Sequence, residues 1–487
     1  MNAAVFKAAY LPGLEDAEVT WHRLSLGTAQ SPLWVELPQL SPTQMTALAQ
    51  RVQQASRLHL KTMAVSDIVR VLDQATARLL DSQDPYRQQL ERLLPLATGF
   101  DAEMIRLSLT AYLQTFRGLQ LQRFLAEDFA NPKVLDEFQP RTAGGWTRAF
   151  GPELLVHVWA GNVPALPMWS FVSGLLVKAG AIGKVSSAEP VFATLFARLL
   201  AEVEPRWASC FAVVWWPSDA SHEHTALASA DVVLAYGGNA ALQAMQDQVP
   251  VTCRFLPHGH KLSFGMVSAA ALSVLKGPGV ARQAALDVAR YDQQGCYSPH
   301  VFYVQRGAPI TPKDFAQHLA HELSGLQHKL PRRLLSLEEA AQAGAWCEAH
   351  ELTALNDEKH TVLGSGDGLH ASSVVFSDSP LPLTAGPLNR HVLVVAVDTL
   401  DDVVPLIAAQ RDFLQSVGLA VAPEELLHLG NILGQAGVTR LCAMGAMTLP
   451  PAGWHHDGRF SLLDLVRMVD IEASAELAAE RFARYEV

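Results

Sequence analysis

The chain has 487 residues, 49% of them hydrophobic and 17% charged, with 37 Lys and Arg against 48 Asp and Glu, a formal net charge of −11. That length allows two or three domains and a large apolar core, which argues against a disordered chain, a collagen-like fibre and a coiled coil. The acidic balance, with no Lys/Arg block, disfavours nucleic-acid binding and a polybasic membrane-surface role.

Residues 1–40 mix short apolar runs with turn residues and point to no definite element. From about Ser41 to Asp128 the pattern is helical. Ile68, Val71, Leu72, Ala75 and Leu79 recur at helix spacing, and Ser66 is the expected N-cap. Asn131-Pro132 and Gly144-Gly145 then punctuate the chain.

From Leu154 the texture changes. Leu154–Ala160 reads as a buried strand, Pro164–Gly180 as a helix, Ala181–Ser186 as a strand and Pro190–Glu202 as a helix. Phe211–Trp216 and Asp231–Tyr236 read as further strands, each followed by helical pattern. Such alternation predicts an α/β fold with a doubly wound parallel sheet. Ligands of such sheets sit beyond the carboxyl ends of the strands. The turns there are Gly161-Asn162-Val163-Pro164, Lys184-Val185-Ser186-Ser187 and Tyr236-Gly237-Gly238-Asn239. Leu154 to Val177 holds no Asp, Glu, Lys or Arg, but Gly161, Pro164 and Pro167 interrupt it, so no membrane span is expected.

Further along, Val267 to Asp287 is Ala-rich and helical, and the loop from Asp292 to Pro299 leads into a strand at Val301–Val304. More βα-like units run to about Ala446. The tail is Pro/Gly-rich from Thr448, amphipathic around Leu462–Val469, and ends in a polar helix. The expected organisation is a helical N-terminal segment with a dinucleotide-binding domain over 1–254, a catalytic thiol domain over 255–447, and a tail over 448–487.

The five cysteines, Cys210, Cys253, Cys296, Cys347 and Cys442, are odd in number and widely spaced, without a CxxC pair. This pattern fits a reduced, cytoplasmic compartment better than a disulfide framework. No apolar run near the N-terminus reads as a signal peptide.

Three patterns are decoys. Gly364-Ser365-Gly366-Asp367-Gly368-Leu369 lacks the third glycine of a dinucleotide fingerprint and precedes an expected strand, so it reads as a turn between strands. The pairs His222-Glu223, His321-Glu322 and His350-Glu351 lack a second His one helical turn on. His258 with His260, and His455-His456-Asp457, each lack a third metal ligand at motif spacing, so no metal site is expected.

Cys296 is the candidate nucleophile. It stands in a polar Gly-Cys loop, whereas the other four cysteines read as small core residues or as incidental. Asn162, at the end of a buried strand, offers an amide that would serve an oxyanion hole, or else only its turn.

The segment Gly151-Pro152-Glu153-Leu154-Leu155-Val156-His157-Val158-Trp159-Ala160-Gly161-Asn162-Val163-Pro164 resembles the signature of LuxC-type acyl-CoA reductases, the bacterial fatty acid reductase family. Similar matches are Gly183-Lys184-Val185-Ser186-Ser187, Ala235-Tyr236-Gly237-Gly238 and His258-Gly259-His260-Lys261-Leu262-Ser263-Phe264-Gly265. Asp292-Gln293-Gln294-Gly295-Cys296-Tyr297-Ser298-Pro299 and Trp454-His455-His456-Asp457-Gly458-Arg459 come next in order, so the resemblance spans about residues 40–472. It implies the aldehyde dehydrogenase superfamily fold, with a Rossmann-like cofactor domain and an α/β catalytic domain carrying the cysteine.

The resemblance also implies a reaction. Cys296 attacks a fatty acyl thioester, Asn162 and the Cys296 N–H hold the oxyanion, and a nicotinamide cofactor reduces the acyl-enzyme to an aldehyde. The thioester donor is acyl-CoA, an acyl carrier or an acyl-transferring partner enzyme, and a homo-oligomer is implied. Two departures from the superfamily pattern matter. Where oxidising relatives carry Glu-Leu-Gly-Gly-Lys, this chain has Pro257-His258-Gly259-His260-Lys261. The water-activating Glu is gone, which favours reduction over aldehyde oxidation and leaves His258 or His260 as acid/base candidates. Where relatives carry Lys-Pro-Ser-Glu at the adenosine ribose, Lys184-Val185-Ser186-Ser187 stands here. Losing that carboxylate favours NADPH over NADH. Tyr236, Gly237 and Gly238 are expected along the pyrophosphate or nicotinamide side. The alternatives are an aldehyde-oxidising dehydrogenase and a non-catalytic acyl- or nucleotide-binding partner.

Overall fold

The computed structural model describes residues 5–28, 30–217, 221–365 and 372–484. The chain divides into two units. The first comprises Met1–Thr98, Leu109–Gly259 and Pro451–Val487, and the second Gly99–Ser108 and His260–Pro450. The C-terminal tail thus belongs to the same unit as the first sheet, and a short helical stretch from the N-terminal half belongs to the second.

In the first unit, five strands form a sheet: β1 (Leu154–Val158), β2 (Gly180–Lys184), β3 (Phe211–Val214), β4 (Val232–Tyr236) and β5 (Arg254–His258). Their order is β5-β4-β1-β2-β3, every pair parallel. Helices α1 (Pro167–Leu176), α2 (Val191–Val203) and α3 (Asn239–Gln246) make crossovers. The strands β1, β3 and β4 are buried throughout, as a sheet covered on both faces requires. The strand order reverses between β1 and β4, so the ligand crevice of this topology opens beyond their carboxyl ends.

The second unit carries β6 (Leu262–Val267), α4 (Gly277–Ala289), β7 (Pro299–Gln305), α5 (Pro312–Lys329), β8 (His360–Ser365), β9 (Ser372–Ser377), β10 (His391–Val397), β11 (Leu414–Ala420) and β12 (Arg440–Ala443). Their order is β8-β9-β10-β7-β6-β11-β12, with only β8 antiparallel to its neighbour. Among the described residues, one apolar cluster of this unit is built around Phe302, Phe315 and Val394 and another around Phe264, Tyr303 and Val417.

Several expectations need correction. The helix around Ile68 spans Val65–Leu80 and its N-cap is Ala64, not Ser66; the Asp136 carboxylate accepts from Val65 N at 2.9 Å and does the capping from outside. The Val267–Asp287 segment is not one helix: β6 runs to Val267 and α4 starts only at Gly277. The Leu462–Val469 stretch contributes a strand, Arg467–Ile471, paired antiparallel with Trp146–Phe150. Residues 20–39, which had given no definite element, form a β-hairpin (Thr20–Thr28 with Ser31–Gln39). The decoy glycine segment lies largely outside the described residues. No helix among them is long and apolar enough to cross a membrane.

Candidate active site

Cys296 stands just before β7, in a loop held by unusual backbone. Tyr291, Asp292 and Gln293 adopt φ of 50°, 49° and 64°, and Leu388, Asn389 and Arg390 adopt 60°, 55° and 69°. Left-handed backbone at a residue with a side chain costs on the order of 1–3 kcal/mol and persists only where its surroundings dictate it. Here the two runs hold each other. Arg390 Nε donates to Asp292 Oδ1 at 2.7 Å, Arg333 N donates to Asp292 Oδ2 at 3.1 Å, and Asn389 N donates to Asp292 O at 2.9 Å. Gln293 Nε2 donates to Pro299 O and His391 O, and Gln294 Nε2 to Asn389 Oδ1.

The cysteine itself is fixed from β6. The Ser263 hydroxyl donates to Cys296 O at 2.8 Å and accepts from Ser416 N at 3.0 Å. The β6 register shifts between Ser263 and Phe264, and such an irregularity re-aims a side chain out of the ladder. Gly295 has no room for a side chain, since a Cβ there would lie 2.3 Å from the Tyr297 ring. Cys296 is half-buried. Burial pushes the thiols of Cys210 up to about 12 and of Cys253 and Cys442 up to about 11, which suits inert structural cysteines. His260 is exposed in this second unit, 6.5 Å between ring centres from Phe413.

In the first unit, the remaining candidates gather at the carboxyl ends of the sheet. Asn162 follows β1 and is exposed. Gly161 beside it packs against the turn after β2, where a Cβ would meet Ser186 Oγ at 2.7 Å and Glu189 N at 2.9 Å. Lys184 ends β2, its ammonium 5.7 Å from the Trp216 ring centre. Ser186 Oγ accepts from Ala188 N, and Ser187 Oγ accepts from the Trp215 indole at 2.9 Å. Glu189 is the acid of this segment. It is fully buried, its Oε1 accepting from Val191 N and Phe192 N at 2.8 Å each, and burial raises its carboxyl to about 7. Its carboxylate thus caps the first turn of α2.

Tyr236 ends β4 and Gly237 N donates to His258 O at 3.2 Å. Gly238 caps α3 with open space where a Cβ would project. His258 ends β5 beside Tyr236 in register, with their rings stacked at 4.8 Å. The tail supplies what the sequence patterns had not connected. Asp457 Oδ2 lies 2.7 Å from His258 Nδ1, and the His456 ring stacks on His258 at 4.3 Å. Two patterns that each lacked a third ligand therefore meet, and ligand atoms of His258, His456 and Asp457 all lie within 4.8 Å of one another. A separation of 199 residues hid this from any spacing argument.

A doubly wound parallel sheet and a second sheet carrying a strained thiol loop define an aldehyde dehydrogenase-like α/β protein. The chain superposes with a TM-score of 0.73 on an aldehyde dehydrogenase from Physcomitrella patens, 12% identical, covering 97% of this chain and 99% of that one. Residues 60–468 match the family model described as acyl-CoA reductase (LuxC), and the chain belongs to that family. It is 28% identical over 401 residues to the long-chain acyl-protein thioester reductase of Aliivibrio fischeri, covering 79% of this chain and 78% of the relative. It is 27% identical over 363 residues to long-chain acyl-protein thioester reductase 2 of Photobacterium leiognathi, covering 72% and 70%.

Proposed function

We propose that this protein reduces a long-chain fatty acyl thioester to the aldehyde, using NADPH, through an acyl-enzyme on Cys296. The observation that carries the reading is the loop before β7: its three left-handed residues, three more in the 388–390 segment that holds it, and a buried ion pair between the two fix the segment that carries one half-buried thiol. Cys296 attacks the acyl carbon, its S–C bond forms, and the donor S–C bond breaks to release the donor thiol. Asn162 is assigned to the oxyanion, together with the Cys296 N–H. A bound nicotinamide supplies hydride to the acyl carbon.

The residues at the sheet edge fit such a nucleotide. Lys184, Ser186 and Ser187 offer one cation and two hydroxyls, and the acid that follows them in the chain, Glu189, is buried on the N–H groups of α2. A 2′-phosphate therefore meets Lys184 without an opposing carboxylate from this segment, which supports NADPH over NADH. Tyr236, Gly237 and Gly238 border the crevice where the strand order reverses. The relatives' names specify acyl-protein thioesters, so an acylated carrier or partner enzyme is the leading donor and acyl-CoA the second.

The test is NADPH oxidation with long-chain acyl-CoAs and acylated carrier protein, wild type beside Cys296→Ala. Acyl-dependent aldehyde formation abolished by the substitution supports the reading. Oxidation of aldehydes to acids without thioester reduction replaces it with a dehydrogenase, and turnover that survives in Cys296→Ala removes the nucleophile assignment.

A further inference from the structure

We propose that Asp457 is a positioning residue for His258, and that the pair handles the proton of thioester exchange. This rests on the reductase reading above. His258 Nδ1 and Asp457 Oδ2 stand 2.7 Å apart, the two side chains only 11% and 8% exposed. An ionised carboxylate only accepts, so the proton of the neutral imidazole sits on Nδ1 and the lone pair on Nε2. The ring plane is fixed as well. His258 stacks with Tyr236 at 4.8 Å and 18° and with His456 at 4.3 Å and 15°, and those two rings lie 6.0 Å from each other, so the three form one aromatic cluster.

The tail is built to deliver this carboxylate. Asp457 has a φ of 54°, left-handed backbone that an Asp tolerates at a cost. The chain is anchored on both sides of it. On the C-terminal side, Asp128 Oδ2 accepts from Leu462 N and Leu463 N at 2.6 and 3.0 Å, and Arg254 Nη1, on β5 itself, donates to Val466 O at 3.1 Å and to Asp464 O. On the N-terminal side, Trp454 packs on His456 at 4.6 Å and on Trp169 of α1 at 6.3 Å. A strained residue held by so many ties, with its side chain on a histidine at the ligand edge of the sheet, is the arrangement that orients a base.

The same cluster does not favour a metal ion. A metal lies in the plane of each imidazole that binds it, about 2 Å from the nitrogen. The two rings lie 15° from parallel and 4.3 Å apart, so their in-plane lone pairs do not converge, and Nδ1 of His258 already faces the carboxylate.

Protons and bonds balance across the exchange. Nε2 takes up the proton released when the nucleophilic thiol ionises, and Asp457 stabilises the imidazolium. The new S–C bond forms, the donor S–C bond breaks, and the departing sulfur takes the proton from Nε2 and leaves as a thiol.

The experiment is single-turnover release of donor thiol from a long-chain acyl-CoA and an acylated carrier protein, with no nicotinamide present, in wild type, His258→Gln, Asp457→Asn, Asp457→Ala and the double His258→Gln/Asp457→Asn. We expect His258→Gln and Asp457→Asn each to slow release about 10²- to 10⁴-fold, with the double variant no slower than His258→Gln. The isosteric Asn keeps the packing but donates toward Nδ1 and holds the wrong tautomer, so a merely structural role spares Asp457→Asn. Wild-type release in Asp457→Asn, multiplicative losses in the double variant, or slowed aldehyde-to-acid oxidation with unchanged thiol release each overturn the proposal. A second readout is independent of turnover. In protein labelled with 15N-imidazole, the His258 resonances, identified by their loss in His258→Gln, are expected to report Nδ1–H in wild type and not in Asp457→Asn. The opposite tautomer in wild type, or one tightly bound metal ion per chain, overturns it. If wild type releases no thiol from either donor, the reductase reading falls and the tautomer measurement still decides the pairing.

Discussion

Arg390 and Asp292 form an ion pair at 2.7 Å with both side chains only 1% exposed. Each charge has further partners: Arg390 Nη2 donates to Leu330 O at 2.7 Å and Nη1 to Gln327 Oε1 at 3.1 Å, while Asp292 Oδ2 accepts from Arg333 N. Removing one member leaves a desolvated charge, at a cost of about 3–5 kcal/mol. Asp292 is itself left-handed and only three residues before Gly295, so the damage reaches the thiol loop. Asp292→Ala is expected to lower stability by about that amount in denaturant titration and to abolish acylation of Cys296 in whatever protein remains folded. Full acylation in a destabilised but folded variant would separate the pair from the loop.

The cysteines provide a second check. With their thiols raised to about 11–12 by burial, Cys210, Cys253 and Cys442 are thiolate to roughly one part in a thousand or less at pH 8. Cys296 is half-exposed in a polar loop. Iodoacetamide at pH 8, read by peptide mass spectrometry, is expected to label Cys296 at least about ten-fold faster than those three, and a bound long-chain acyl thioester donor is expected to suppress that labelling. Equal rates at all four positions count against Cys296 as the nucleophile.

Glu189 makes a pH prediction. Its carboxyl stands at about 7 in the fold against an ordinary value of 4.5, because burial opposes ionisation more than the two N–H groups of α2 favour it. The folded state thus binds more protons than the unfolded state between those values, and stability falls as pH rises from about 4.5 through about 7. Glu189→Gln keeps an oxygen for Val191 N and Phe192 N and removes the charge. Relative to wild type, the variant is expected to gain stability between pH 5 and pH 8, on the order of 1–3 kcal/mol. Asp287, also raised to about 7, is present in both proteins and cancels in the comparison. Identical pH slopes would contradict the assignment.

The alternation of β1, α1, β2 and α2 was legible because it is local: buried strands read as apolar runs, and Gly161 and Pro167 mark the crossover. The Cys296 loop was legible as chemistry, since a polar Gly-Cys segment is unlike the other four cysteine sites. Its support was not, because Asp292 is stabilised by Arg390, 98 residues away. The start of the Val65–Leu80 helix was misplaced at Ser66 for the same reason: its cap comes from Asp136, and no local residue announces it. Likewise Leu462–Val469 has an amphipathic texture that fits a helix or a strand, and pairing with Trp146–Phe150 decides it. The meeting of His258 with Asp457 is the largest such omission, a product of where the tail is anchored rather than of any motif.

His157 gives a pH effect of opposite sign. It sits in the middle of β1, wholly buried, its ring stacked on Trp159 at 5.4 Å, and among the described residues neither ring nitrogen has a hydrogen-bond partner. Burial lowers its titration to about 3 from an ordinary 6.5. The unfolded chain therefore takes up this proton first, so the stability the neutral ring allows is present above pH 6.5 and is lost as pH falls from there toward 3. His157→Leu nearly conserves volume and removes two unpaired polar atoms. At pH 7 the variant is expected to match or exceed wild type, since a buried polar group without a partner is costly. Below pH 6 its advantage is expected to grow by up to about 1.4 kcal/mol per pH unit. Urea titrations of both proteins at pH 7.0, 6.0 and 5.0 measure this directly. Parallel stability curves across that range would mean that the imidazole finds a partner or a proton that this environment denies it.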